Sequence, residues 1–178
     1  MGFATPAVLL HQIGSIWPKS WLEFCEVILS RALRRTADRA VIVDLDSSVL
    51  LRIILRQRNA LKEWKDIEQG VGSALLEIEC LRTLDRLRLI EQLRDDVIAA
   101  RREAAYRLIE AVEVVDLTHP VLTRAAQPFP TVLGTLDAIH LVTALMWREQ
   151  MGQDLVMATH DVALGTAARA SGLRVIGV

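Results

Sequence analysis

Residues 41–51 read VIVDLDSSVLL, and this junction constrains the fold more than any other stretch of the chain. Val41, Ile42 and Val43 are β-branched and favour a strand. Two aspartates follow one residue apart, and Ser47 and Ser48 then lead into a new apolar run. A short apolar strand that ends in acid and turns into a helix belongs inside a layered α/β fold, covered by helices above and below. In such sheets the groups just beyond the carboxyl ends of the strands face the crevice where ligands bind. Asp44 and Asp46 are two residues apart and share one face of the strand. The segment therefore poses a choice between an aspartate nucleophile with an acid partner and a metal ligand whose fellow ligands lie far down the chain.

The pattern after Val41 alternates between the two periods. Residues 41–46 read as a strand and 48–57 as a helix, while 59–69 is polar and mixed, helix and loop. Residues 73–93 and 95–111 follow as two long amphipathic helices. A strand is expected at 112–117 and a short helix at 120–126, with Pro128 and Pro130 beyond its end. A helix at 135–150, a strand at 154–159, a helix at 162–171 stopped by Gly172 and a last strand at 173–178 complete the pattern. Short apolar strands separated by helices predict a central parallel sheet flanked by helices, a three-layer α/β fold.

The first 40 residues differ. Phe3, Trp17, Trp21 and Phe24 are half of the aromatic residues of the chain. Ser20 and Glu23 form an S-x-x-E capping box ahead of an apolar stripe (Leu22, Cys25, Ile28, Leu29, Ala32) that runs into Arg34 and Arg35. Residues 1–40 are read as an N-terminal, helical extension and 41–178 as the functional domain.

With 178 residues, 52% of them hydrophobic and 24% charged, the chain is long enough for a self-sufficient core. The formal net charge of −1 provides no whole-protein field for gathering a polyanion, so such a partner needs a local patch or a bound metal. Cys25 and Cys80 show no C-x-x-C spacing and fit small buried hydrophobes in a reducing compartment. The N-terminus lacks a basic leader and no apolar run reaches membrane-spanning length, which places the expectation on a cytoplasmic protein with no membrane partner.

Four acids stand in positions that call for explanation. Asp46 closes the first strand, and Asp161 follows the strand DLVMAT. Asp137 lies in the first turn of the helix that begins at Thr135, TLDAIHL, where the helix dipole favours an acid in any case, but its neighbours Leu136, Ala138, Ile139 and Leu141 are apolar. Glu79 lies in SALLEIECLRTL, where an ion pair with Arg82 is its ordinary alternative. Together they offer only oxygens, a donor set suited to Mg2+ or Mn2+. His11, His119, His140 and His160 have no zinc-binding context.

The segments VIVDLDSSVLL, SALLEIECLRTL, LGTLDAIHLVTAL and LVMATHDVALGTAARASGLRVI, in that order, resemble the PIN-domain ribonucleases, and among them the VapC-type toxins of toxin–antitoxin pairs. The resemblance covers about residues 41–178. It implies a Mg2+-dependent endoribonuclease, the toxin component of a type II system, with Asp46, Glu79, Asp137 and Asp161 as catalytic metal ligands. Ser48 and Thr159 match the family's hydroxyls beside the metal, and His140 the histidine after the third acid. The resemblance further implies an RNA substrate cut by metal-activated water, a cognate antitoxin and a homodimer. Arg52, Arg56, Arg82 and Arg86 are candidate RNA contacts. Two positions depart from the pattern: Asp44 replaces an apolar or aromatic residue, and Gly134 stands where a basic residue is frequent.

DLDSS also fits the opening motif of haloacid-dehalogenase-like phosphatases, with Asp44 as nucleophile and Asp46 as acid. That chemistry requires a lysine against the aspartyl-phosphate, and Lys19, Lys62 and Lys65 do not stand near a later strand end. A catalytically silent PIN-like binding module is the remaining alternative.

Overall fold

A computed structural model describes residues 41–178. The capping-box helix, Cys25 and the rest of residues 1–40 lie outside the described residues. From Val41 the elements run β1 (Ile42–Leu45), α1 (Ser47–Ile54), a 3-10 turn at Lys62–Asp66, β2 (Gln69–Ser73), α2 (Leu75–Glu91), α3 (Asp95–Glu110) and β3 (Val112–Val115). They continue with α4 (His119–Ala125), α5 (Thr135–Met151), β4 (Val156–Ala158), α6 (Val162–Ala170) and β5 (Arg174–Ile176). The sheet has five strands in the order β3-β2-β1-β4-β5, and every pairing is parallel.

This order follows from connection rules. The chain moves outward from β1 through β2 to β3, then returns to lay β4 on the other side of β1. Helices crossing between parallel strands must therefore cover one face on the way out and the opposite face on the way back. Val43 and Leu45 of β1, with Val156 and Ala158 of β4, pack against Val49, Leu50, Leu76, Leu84, Ile98 and Ala105 of α1, α2 and α3. Ile42 and Met157 point the other way, against Leu141, Ala144 and Leu145 of α5 and Leu164 and Ala167 of α6. The period-2 alternation within two short strands thus separates the layers. Reversal of strand order between β1 and β4 leaves a crevice at their carboxyl ends, the usual ligand site of open parallel sheets.

The one element absent from the sequence reading is β2. The sequence assigns helix and loop to 59–69, where the 3-10 turn lies, leaves 70–72 unassigned and starts a helix at Ser73. Instead QGVGS is a buried strand, with Val43 opposite Gly70 and Asp44 opposite Val71, and the helix begins at Leu75. Glycine is a poor strand former, so no propensity marks this stretch. Its role is steric: a Cβ on Gly72 would stand 2.3 Å from Leu76 Cδ1 and 3.3 Å from the Leu45 carbonyl oxygen. The missing side chain lets the start of α2 sit close against the sheet, which brings Glu79 towards β1.

Leu84, fully buried on the α2 face, anchors this layer, whereas Leu89 is exposed on the same helix. Leu84→Ala is expected to cost about 2–5 kcal/mol in denaturant unfolding, and Leu89→Ala less than about 0.5 kcal/mol. Equal costs would contradict the packing described.

Candidate active site

Asp46 occupies the N-cap position of α1 in extended backbone, yet its carboxylate does not cap that helix. It turns instead across the switch point. Its Oδ2 accepts a hydrogen bond from Ser48 Oγ at 2.5 Å and another from Thr159 Oγ1 at 2.8 Å. The same two hydroxyls accept backbone N–H groups from the β4–α6 loop: Ser48 Oγ from His160, and Thr159 Oγ1 from Asp161, both at 2.9 Å. Two side chains thereby bind the end of β1 to the end of β4 and fix the direction of Asp46.

Glu79 reaches the site from α2. Its Oε2 lies 2.7 Å from His140 Nε2 on α5, and His140 Nε2 is 3.9 Å from Asp46 Oδ1. The ordinary alternative, an ion pair with Arg82, is not what the structure contains: Arg82 faces Asp85 instead, at 4.0 Å. One ligand atom from each of Asp46, Glu79 and His140 can be chosen so that all lie within 4.8 Å of one another. Among the described residues this is the group of three or more metal-ligating side chains that comes together.

Asp137 and Asp161 stand at the rim. Asp161 caps α6, its Oδ1 accepting the Leu164 N–H at 2.9 Å. Asp137 is half-buried in the first turn of α5, close to Gly134, where a Cβ would lie 3.0 Å from its Oδ2. The two belong to the same electrostatic site. Burial raises the Asp137 carboxyl above its ordinary range, and the charges of Asp161, Asp46 and Glu79 raise it further, against the pull of His140. Burial likewise opposes charge on Glu79, but the His140 hydrogen bond and charge and the Ser47 hydroxyl hold it below its usual value. Burial opposes charge on His140, yet the Glu79 hydrogen bond, with the charges of Asp46, Glu79 and Asp44, raises it overall. A hard divalent cation fits this donor set, because oxygen ligands are in excess and mutual repulsion is the condition a cation relieves.

Asp44 lies within β1, two residues before Asp46, and is fully buried. Burial pushes its carboxyl up to about 7, the charge of His140 opposing and that of Asp46 assisting. With no exposed atom it cannot reach a phosphomonoester, which removes the geometric basis for an Asp44 nucleophile. Cys80 is also buried, its thiol pushed up to about 12 by burial and by Glu79 and Asp46. Of the candidate RNA arginines, Arg52 donates to the Asn59 carbonyl at 3.1 Å. Arg82 and Arg86 line a groove of about 590 Å³ that begins at Ser47 and Glu79 and runs past Leu89, Ile90 and Leu136.

The protein is a parallel α/β domain with Asp46, Glu79 and His140 gathered at its switch point, a group that could hold a metal ion. The PIN domain model matches residues 43–167, and the chain belongs to the PIN-domain family. It is similar to ribonuclease VapC46 of Mycobacterium tuberculosis (strain ATCC 25618 / H37Rv), 31% identical over 136 residues that cover 74% of this chain and 94% of that protein. It is also similar to ribonuclease VapC47 of Mycobacterium tuberculosis (strain CDC 1551 / Oshkosh), 26% identical over 130 residues, 72% of this chain and 90% of that protein. Among solved structures, that of FitAB bound to an IR36 DNA fragment shares the fold with a TM-score of 0.55 at 17% identity, covering 75% of this chain and 93% of that one.

The raised Asp44 carboxyl makes stability depend on pH. Its folded form holds a proton up to about 7, against 3.8 ordinarily. The stability this contributes is present below 3.8 and is lost as pH rises through about 7. At about 1.4 kcal/mol per pH unit, the loss is about 4 kcal/mol. Asp44→Asn, which cannot ionise, is expected to flatten the decline in unfolding free energy between pH 4 and 8 (values bracketing about 7). An unchanged slope would show that Asp44 is not the buried acid described.

Proposed function

We propose that the chain is a metal-dependent endoribonuclease of the VapC type, the toxin half of a type II toxin–antitoxin pair. The observation that carries this reading is the meeting of Asp46, Glu79 and His140 at the switch point, with Asp137 in electrostatic contact with all three and Asp161 with Asp137. Asp46 at the end of β1 and Glu79 from α2 would hold Mg2+ or Mn2+, with Asp137 and Asp161 as further oxygen donors. His140 orients Glu79, while Ser48 and Thr159 keep one Asp46 oxygen satisfied and leave Oδ1 directed into the site. When bound, the metal lowers the pKa of water and neutralises phosphate charge.

The substrate is RNA in single-stranded or looped form, whose backbone passes the groove containing Arg82 and Arg86. Affinity there comes mainly from phosphate contacts and falls with salt. The relatives' ribonuclease names support RNA as substrate, and the VapC type implies a cognate antitoxin and a homodimer. The domain performing this chemistry begins at Val41, with residues 1–40 as an extension to it. The VapC reading places this action on cytoplasmic RNA; among the described residues no helix is long and apolar enough to cross a membrane.

The test is incubation of a mixed cellular RNA pool with the full chain, and with a chain beginning at Val41, in Mg2+ or Mn2+. Discrete fragments with 5′-phosphate ends are expected from both, and none in chelator. Asp46→Asn and Asp137→Asn should each lower the rate by about 100-fold or more. Cleavage that persisted in both variants would reject the site, and intact RNA with folded, metal-loaded protein would favour a catalytically silent binding module. Failure of the shorter chain to fold would reject the boundary at Val41.

A further inference from the structure

Asp44 has no part in the reading above, yet it is the least easily explained side chain of the domain. It is fully buried, and among the described residues neither of its oxygens has a hydrogen-bonding partner. Its neighbours across the sheet are Val71 on β2 and Met157 on β4, both apolar. The strand face it shares with Ile42 is covered by Leu141, Ala144 and Leu145 of α5. Within that helix His140 and Thr143 are one turn apart and buried, and His140 Nδ1 and Thr143 Oγ1 also lack partners. Four unpaired polar atoms therefore lie in the layer between β1 and α5. Asp44 and His140 also act on one another electrostatically, each favouring the charged form of the other.

Buried polar groups are almost always satisfied, and a site with several convergent polar atoms is where a structural water belongs. We propose that Asp44 is a positioning residue: through a buried water shared with His140 Nδ1 and Thr143 Oγ1, it fixes the imidazole that holds Glu79 at the metal site. The proposal rests on the metal site proposed above. The bonding is consistent at each atom. His140 Nε2–H donates to Glu79, at 2.7 Å between heavy atoms. The water accepts from the His140 Nδ1–H and from the Thr143 hydroxyl and donates to Asp44. Partners on the far ring nitrogen of a histidine at a metal site set its tautomer and orientation, and the same logic extends here by one hydrogen bond to Glu79. An apolar residue at position 44 would leave Nδ1 without that link.

The experiment uses the full chain with 15N-labelled histidine, free of metal. The imidazole spectrum is expected to show His140 protonated at Nε2 with a hydrogen-bonded Nδ1. Asp44→Val should shift the Nδ1 resonance, and Asp44→Asn, which retains polar atoms, should shift it less. Thr143→Val, which removes one partner of the water without touching β1, should shift it too and provides the answer if Asp44→Val does not fold. Calorimetric titration with Mn2+ supplies the second readout: Asp44→Val should weaken binding by about tenfold, and Asp44→Asn by no more than about threefold. A His140 Nδ1 resonance unmoved by Asp44→Val and Thr143→Val, or Mn2+ affinity unchanged in Asp44→Val, would overturn the proposal. Wild-type protein without affinity for Mn2+ would overturn the metal site itself, a failure distinguishable because the imidazole spectrum is recorded without metal.

Discussion

The two hydroxyls on Asp46 Oδ2 hold the rest of the site in place. Ser48 and Thr159 donate to that oxygen while accepting the backbone N–H groups of His160 and Asp161. Parallel strands have no hairpin to fix their ends relative to one another, so the carboxyl ends of β1 and β4 need such a connection. Each hydroxyl uses its donor and its acceptor capacity at once, which secures both the loop and the carboxylate. Asp46 consequently keeps a single direction at the switch point, with Oδ1 turned towards His140 at 3.9 Å and into the group that could hold a metal ion.

The same arrangement carries an electrostatic cost. Asp44, Asp46, Glu79, Asp137 and Asp161 lie close enough for their charges to influence one another or a shared neighbour. His140 offsets part of this cost by bonding Glu79 directly and by standing within 3.9 Å of Asp46. The balance leaves Glu79 charged and Asp137 reluctant to ionise. A fold optimised for stability alone would not collect like charges in a half-buried crevice, and such conflicts are typical of functional sites. A bound cation would relieve this repulsion, which is why the acids are better read together than one at a time.

Much of this was legible in the chain, for reasons tied to particular residues. The step from Val43 through Asp46 to Ser48 shows a strand changing into a helix, and the apolar setting of Asp137 marks it as more than a surface acid. Alternation along β1 puts Asp44 on the face of Ile42, which packs against α5, whereas Asp46 lies one residue past the strand as the N-cap of α1. Other features could not be read locally. β2 is written in glycines whose purpose, room for Leu76, exists only once α2 has packed. The bond between Glu79 and His140 joins residues 61 apart, and the nearby Arg82 offered a simpler partner. Whether Asp44 faced solvent or the core depended on how α5 covers β1, a tertiary fact without a local signal.

The central claim is that the acids at the β1–β4 switch point, oriented by Ser48, Thr159 and His140, form a cation site. Anomalous diffraction from crystals grown with Mn2+ tests it most directly. The account predicts a peak within coordination distance of carboxylate oxygens of both Asp46 and Glu79, lost in Asp46→Asn. A peak away from these two residues, or one that survived in that variant, would contradict it.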